Sequence, residues 1–198
     1  MGATFETIFT GVYLIVYAVS MAASLAFYIL QSIGFQTIAK RRGIKSPWLA
    51  WIPVGSAYIM GAIADDYNIK ARNVKTNYRH TLLYLILVTM VLLIALYPIL
   101  LVSIFTLIES DGASAMCIGG IVIMMLIALA TIGVAITASV FQYISIYRIF
   151  QSCSPQNTVL YFILSLFISG VLPFFIFFLR NKDEGMPANQ ATQFTQGA

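Results

Sequence analysis

The sequence predicts an all-α integral membrane protein with three full transmembrane helices and two broken, re-entrant hydrophobic segments; the alternative is four or five full spans. Three observations lead there. Hydrophobic residues make up 60% of the chain and charged residues 9%, against about a quarter charged in soluble domains. Apolar runs at residues 8–38, 81–108 and 115–150 exceed the ~20 helical residues that cross a hydrocarbon core. Two more apolar stretches, residues 47–63 and 159–179, are interrupted by Pro53 and Gly55 and by Gly170 and Pro173. With 198 residues the chain has no room for a separate soluble domain, so residues 1–184 are predicted to be one transmembrane domain and 185–198 a flexible C-terminal tail.

The first run follows only Glu6, with no basic n-region and no Ala-x-Ala-like cleavage site, so it reads as a retained first span and not a signal peptide. Ala18, Ala22 and Ala26 repeat at four-residue spacing beside Ser20 and Ser24. Such a stripe of small residues allows close helix contact, here expected against the later spans. Lys40, Arg41, Arg42 and Lys45 follow at once.

Residues 47–63 would reach only ~25 Å as a helix, and Pro53 removes a hydrogen bond near the middle. Trp48 and Trp51 share a face if the first half is helical, which marks the headgroup level. The favoured reading is a hairpin turning at Pro53 and Gly55 and shielded by protein, because irregular backbone is not tolerated against lipid. The other readings are a flat interfacial helix, which should carry a charged face that these residues lack, and a short span. Residues 65–80, with Lys70, Arg72, Lys75, Arg79 and the single His80, read as a polar connector.

Residues 81–108 are predicted to kink at Pro98. Glu109, Ser110, Asp111 and Gly112 read as a tight acidic turn. The following helix is rich in small residues, and its Thr131, Ala135, Ser139 stripe places it centrally against the first. Cys117 and Cys153 fall near its two ends, ~50 Å apart, so they cannot pair and offer no multi-cysteine metal site. Residues 159–179 end at Arg180 and Lys182, and residues 187–198 are polar, uncharged and expected to be disordered.

Charge sorting fixes the predicted topology. If both broken segments return to the side they left, the chain crosses three times and all eleven Lys and Arg residues lie in the cytoplasm with the C-terminus, as the positive-inside bias requires. A long span, a polar turn and a broken segment then occur twice, a weak internal symmetry without residue identity.

Little in the sequence carries chemistry. No charged side chain sits at depth in a hydrophobic segment, which disfavours proton-coupled or ion-coupled transport. The serines Ser103, Ser139, Ser165 and Ser169 have no base in sequence reach. Asp65-Asp66 is half of a carboxylate metal site at most and reads as a solvated helix cap. No catalytic residue, metal or cofactor is predicted, and no nucleic-acid partner.

The stretch Ala39-Lys40-Arg41-Arg42-Gly43-Ile44-Lys45-Ser46-Pro47-Trp48-Leu49-Ala50-Trp51-Ile52-Pro53-Val54-Gly55 and the stretch Phe177-Phe178-Leu179-Arg180-Asn181-Lys182-Asp183-Glu184-Gly185-Met186-Pro187 resemble small multi-span membrane proteins of Gram-positive bacteria. The resemblance implies a bacterial cell-membrane protein and supplies no catalytic residues. The expected function is a non-enzymatic multi-pass module that binds lipid, above all anionic headgroups, or a partner membrane protein or second copy. Lys40, Arg41, Arg42, Lys45, Trp48, Trp51, Arg72, Lys75 and Arg79 are the predicted contacts. The alternative function is a passive channel or transporter, oligomeric, for a small solute.

Overall fold

The computed structural model describes residues 2–109 and 115–187. The expected acidic turn after Glu109 and nearly all of the expected tail lie outside the described residues. The fold is all-α, with six helices among the described residues: α1 (Gly2–Arg41), α2 (Pro53–Arg72), α3 (Tyr78–Glu109), α4 (Ala115–Cys153), α5 (Thr158–Phe167) and α6 (Leu172–Leu179). Short 3-10 turns occupy Pro47–Trp51, Pro155–Asn157 and Ser169–Val171. Three stretches, Phe9–Arg41, Tyr78–Phe105 and Gly119–Cys153, are long and apolar enough to cross a membrane. Within each, a run of 18 residues is almost entirely unburied within the chain, as lipid contact demands of an apolar helix and water does not permit.

The chain divides into two compact units, residues 1–51 with 150–198, and residues 52–149. In the first unit Gly185 donates its backbone N–H to the Ser152 carbonyl at 3.1 Å and Met186 is buried.

In the first unit α1 packs against α6 and against the Pro47–Trp51 turn. Phe35, Ile38, Ala39 and Ile176 are buried in that unit. The Pro47–Trp51 turn lies back along α1. The Tyr28 hydroxyl donates to the Trp51 carbonyl, and the Trp51 indole Nε1 donates to Gln36 Oε1 at 2.8 Å. Tyr28 and Gln36 are ~12 Å apart along α1, so Trp51 is fastened to the helix flank well short of its Arg41 end. The chain therefore reverses after α1, and a side chain of α1 satisfies a carbonyl at the break. Tyr28→Phe is expected to cost about 1 kcal/mol, read as a lower melting temperature in detergent; an unchanged melt would show that this carbonyl finds another partner.

The break itself differs from expectation. Pro53 is the first residue of α2, where its fixed φ is preorganised and its missing donor costs nothing. Gly55 lies inside α2 and is buried, so the turn falls at Trp51 and Ile52 alone.

The second broken segment folds back on itself. The Tyr161 and Phe175 ring centroids are 4.8 Å apart, whereas one continuous helix would separate these positions by ~20 Å. Ile168 and the Ser169–Val171 turn make the reversal, with Gly170 in the turn and Pro173 in the first turn of α6. Both predicted breakers of this segment therefore sit where the helix ends and restarts. The return is complete, since Glu184 and Gly185 donate to the carbonyls of Cys153 and Ser152 at 3.4 and 3.1 Å. The two broken segments are built differently, one as a 3-10 turn leading into a long helix and the other as two short helices, so the weak internal symmetry is not realised.

In the second unit α2 continues past residue 63 to Arg72. The connector expected over residues 65–80 shrinks to 73–77, because α3 begins at Tyr78. The α2 C-terminus closes with Asn73 in the left-handed region at φ 55, and the N–H groups of Asn73 and Val74 both reach the Asn68 carbonyl, a common C-cap geometry. Helices α2 and α3 are packed together. A Cβ on Gly61 would stand 2.6 Å from the backbone of Arg79, so only glycine admits this approach.

Ala18, Ala22 and Ala26 are exposed on α1, and so is Ser139 on α4. Helix α3 is continuous through Pro98. Cys117 and Cys153 lie on the single helix α4, as their spacing implied.

Candidate functional site

A dense set of polar contacts in the first unit is built by residues 41–42, 152–153 and 180–185. Arg41 ends α1 and Arg42 follows it, and Asp183 lies four residues beyond the end of α6. The Arg42 guanidinium meets Asp183 Oδ1 through Nε at 3.2 Å and Nη2 at 2.8 Å. Arg41 Nη2 lies 3.0 Å from Asp183 Oδ2, and Arg41 Nη1 donates to the Arg180 carbonyl at 2.9 Å. One carboxylate thus bridges two guanidiniums.

The side chain of Arg42 is 1% exposed and that of Asp183 12%. Arg42 Nη2 also donates to Ser152 Oγ at 2.9 Å and lies 3.8 Å from Cys153 Sγ. The end of α4 therefore forms the floor of the cluster. Arg42 Nη1 is buried without a partner among the described residues, a loss of about 1–3 kcal/mol if nothing satisfies it. A Cβ on Gly185 would stand 2.2 Å from the Gln151 carbonyl oxygen. Glycine there is what lets residues 183–186 lie across the α4 end and carry Asp183 to its partners.

Arg42 was expected at the membrane surface as a lipid or partner contact. It is buried instead, because a carboxylate 141 residues away in the chain compensates it, and such a partner has no local signature. Arg41 is part-buried, while Lys40 and Lys45 are exposed. Trp48 and Trp51 keep 57% and 41% of their surface, enough to meet an interface, with Trp51 also tied to Gln36.

In the second unit the exposed cations are Arg72, Lys75 and Arg79, around the 73–77 connection. No carboxylate pairs with any of them among the described residues; the ion pair formed there is Lys70 with Asp66 at 2.6 Å. Beneath them the backbone is pinned by buried groups. Asp65 accepts from Thr76 Oγ1 at 2.6 Å, from the Tyr78 N–H at 2.9 Å and from the Arg79 N–H at 3.1 Å. Asn68 Nδ2 donates to Thr76 Oγ1 at 3.1 Å. Asp65 does cap a helix, but the helix is α3 and the cap is buried, not solvated. His80 is exposed and sits edge-on to Tyr58.

Sequence reasoning missed Tyr28, Gln36 and Asp183. The first two carry a detectable signal, polar residues eight apart on an otherwise apolar helix, which places them on nearly one face. Hydroxyls of Thr89, Ser103, Thr131, Thr137, Ser139 and Ser145 donate to the carbonyl four residues earlier in their own helices, so their protons are spent locally. Among the described residues no group of three or more His, Cys, Asp or Glu side chains could hold a metal. No protein-family model, no curated protein and no solved structure matches the chain.

Proposed function

We propose that the chain is a non-enzymatic multi-pass module of the cell membrane, binding anionic lipid headgroups or a partner membrane protein through its basic face and broken hydrophobic segments. The observation that carries this reading is the triplet Arg72, Lys75 and Arg79. It is exposed and uncompensated among the described residues, on a connection whose backbone is held from below by Asp65. Each cation near an anionic surface contributes ~1 kcal/mol, and a fixed connection loses little entropy on engaging it.

The same reading makes both broken segments re-entrant. Trp51 fastened to the flank of α1 and the return of Gly185 to Ser152 support it: each stretch comes back along, or back to, the element it left. Three crossings then put every Lys and Arg and the C-terminus on the cytoplasmic side.

Extraction of the protein with its native lipids into polymer-bounded nanodiscs, followed by lipid mass spectrometry, tests the function. The parent is expected to be enriched in anionic lipid over the bulk membrane, and Arg72→Gln with Lys75→Gln and Arg79→Gln to lower that enrichment roughly tenfold or more. Equal enrichment in parent and triple variant would remove the lipid-binding role from this face.

A further inference from the structure

We propose that the α5–α6 hairpin is a wedge in the cytoplasmic leaflet alone: its outward face lies among the acyl chains of that leaflet, and the chain therefore favours membrane that is convex toward the cytoplasm. The inference rests on the reading of residues 159–179 as re-entrant. It adds to that reading an occupant for the outward face and a consequence for membrane shape.

The outward face of α5 is inside out for water. Val159, Leu160, Ile163 and Phe167 are 58%, 57%, 46% and 82% exposed, and their spacing puts them on one side of the helix. The buried positions are polar, Thr158 and Ser165, whose hydroxyls donate to the carbonyls of Ser154 and Phe162. A helix against water has the opposite pattern. Side-chain size separates lipid from a second protein, because close helix contacts in membranes use small residues. Such a contact exists between α1 and α6, where a Cβ on Gly34 would stand 2.6 Å from Ile176. The outward stripe of α5 has no Gly, Ala, Ser or Thr, and acyl chains fill the gaps between its bulky side chains.

The hairpin reaches through one leaflet and stops. Helix α6 runs beside α1 in the same direction: a Cβ on Gly170 would stand 3.8 Å from the Phe27 ring, Ile176 meets Gly34, and the Arg180 carbonyl accepts from Arg41 Nη1. Phe27 and Arg41 are ~21 Å apart along α1, half of a ~40–45 Å bilayer with its headgroup regions. Exposure on α1 changes at the same level. Residues 9–26 are exposed apart from Gly11, whereas residues 27–39 are half-buried or buried apart from Ile29. Among the described residues of the first unit, one leaflet therefore holds α1 alone, and the other holds α1 with α5, α6 and the Pro47–Trp51 turn. No charged residue lies within 158–179, and Arg180 and Lys182 follow at the base. Apolar bulk buried in one side of a bilayer responds to curvature.

Orientation in vesicles tests the wedge. Asn181, exposed at the hairpin base, is changed to cysteine in the full chain with Cys117→Ser and Cys153→Ala. The protein is reconstituted in both orientations into small and large phosphatidylcholine–phosphatidylglycerol vesicles, and an impermeant thiol reagent counts molecules with the base outward. The outward-to-inward ratio is expected to be about threefold higher in the small vesicles. Truncations of exposed side chains should move it in opposite directions. Val159→Ala with Ile163→Ala and Phe167→Ala thins the wedge and lowers the ratio. Leu14→Ala with Ile15→Ala and Val19→Ala, all exposed on the bare half of α1, raises it.

An equal ratio in both vesicle sizes, or truncation effects of one sign, overturns the wedge. A nitroxide attached at Phe167→Cys should be open to oxygen and closed to a water-soluble nickel chelate. Closure to both, relieved by diluting the protein in lipid, would place a second copy on this face and overturn the proposal. Access of the chelate would overturn the re-entrant reading and the wedge together. A nitroxide open to oxygen alone with an equal ratio would remove the wedge and leave the segment re-entrant, whereas a size-dependent ratio without anionic-lipid enrichment would remove the headgroup-binding role and leave the wedge.

Discussion

Asp183→Ala is expected to destabilise the protein by about 3–5 kcal/mol, the cost of removing one partner from a buried ion pair. The melting temperature should fall by roughly 10 °C for a chain of this length. The size follows from what stays behind. Arg42, with its side chain 1% exposed, would keep Ser152 and the Cys153 sulfur near its guanidinium, and Arg41 would lose its contact with Asp183 as well. Residues 183–186 would keep the backbone bonds of Glu184 and Gly185 and the buried Met186 but lose their ionic anchor, so the return of the α5 and α6 hairpin to the α4 end would loosen. A second variant separates charge from volume: Arg42→Met with Asp183→Leu should recover most of the loss, because apolar replacement of a buried pair is often close to neutral. A fall below about 1 kcal/mol for Asp183→Ala would mean that water already reaches the cluster.

The parts of the fold that the sequence makes legible are those decided locally. Length and apolarity are properties of a run, and the three long helices are where those runs are. The Gly170 and Pro173 break is likewise local, because glycine and proline act on their own backbone. Pro53 shows the limit of that logic. The same residue can end a helix or start one, and what selects the start is the chain before it, with the Trp51 carbonyl taken by Tyr28. Residues 65–72 look like connector because they are polar. They are helical because Asp65 and Asn68 find partners in residues 76–79, and those partners make burial of polar side chains affordable.

The site follows the same division. Exposure of Lys40, Lys45, Arg72, Lys75 and Arg79 agrees with their reading as surface cations. Arg42 departs from it through a partner at the other end of the chain. Adjacent Arg41 and Arg42 look equivalent in sequence, and helix periodicity, which turns successive residues ~100° apart, sends one of them inward.

Asp65→Ala is the second large effect, expected at about 3 kcal/mol and localised at the start of α3. The carboxylate accepts the N–H groups of the first two residues of that helix, Tyr78 and Arg79, two of the orphan donors that every helix start exposes. It also accepts the Thr76 hydroxyl. Loss of a cap costs about 1 kcal/mol, and each donor stranded in a buried place adds ~1–3 kcal/mol unless water reaches it. Relaxation cannot come from α2 sliding, because Gly61 already stands against the Arg79 backbone. Amide hydrogen exchange distinguishes this from general destabilisation: Tyr78 and Arg79 should lose protection in Asp65→Ala far more than the middle of α3 does. Asp65→Asn, which keeps an acceptor oxygen and gives up the charge, should lose roughly half as much stability. If exchange at Tyr78 and Arg79 matched the parent, the α3 start would be capped by something other than Asp65, and the fixed connection that presents Arg72, Lys75 and Arg79 would have to be held another way.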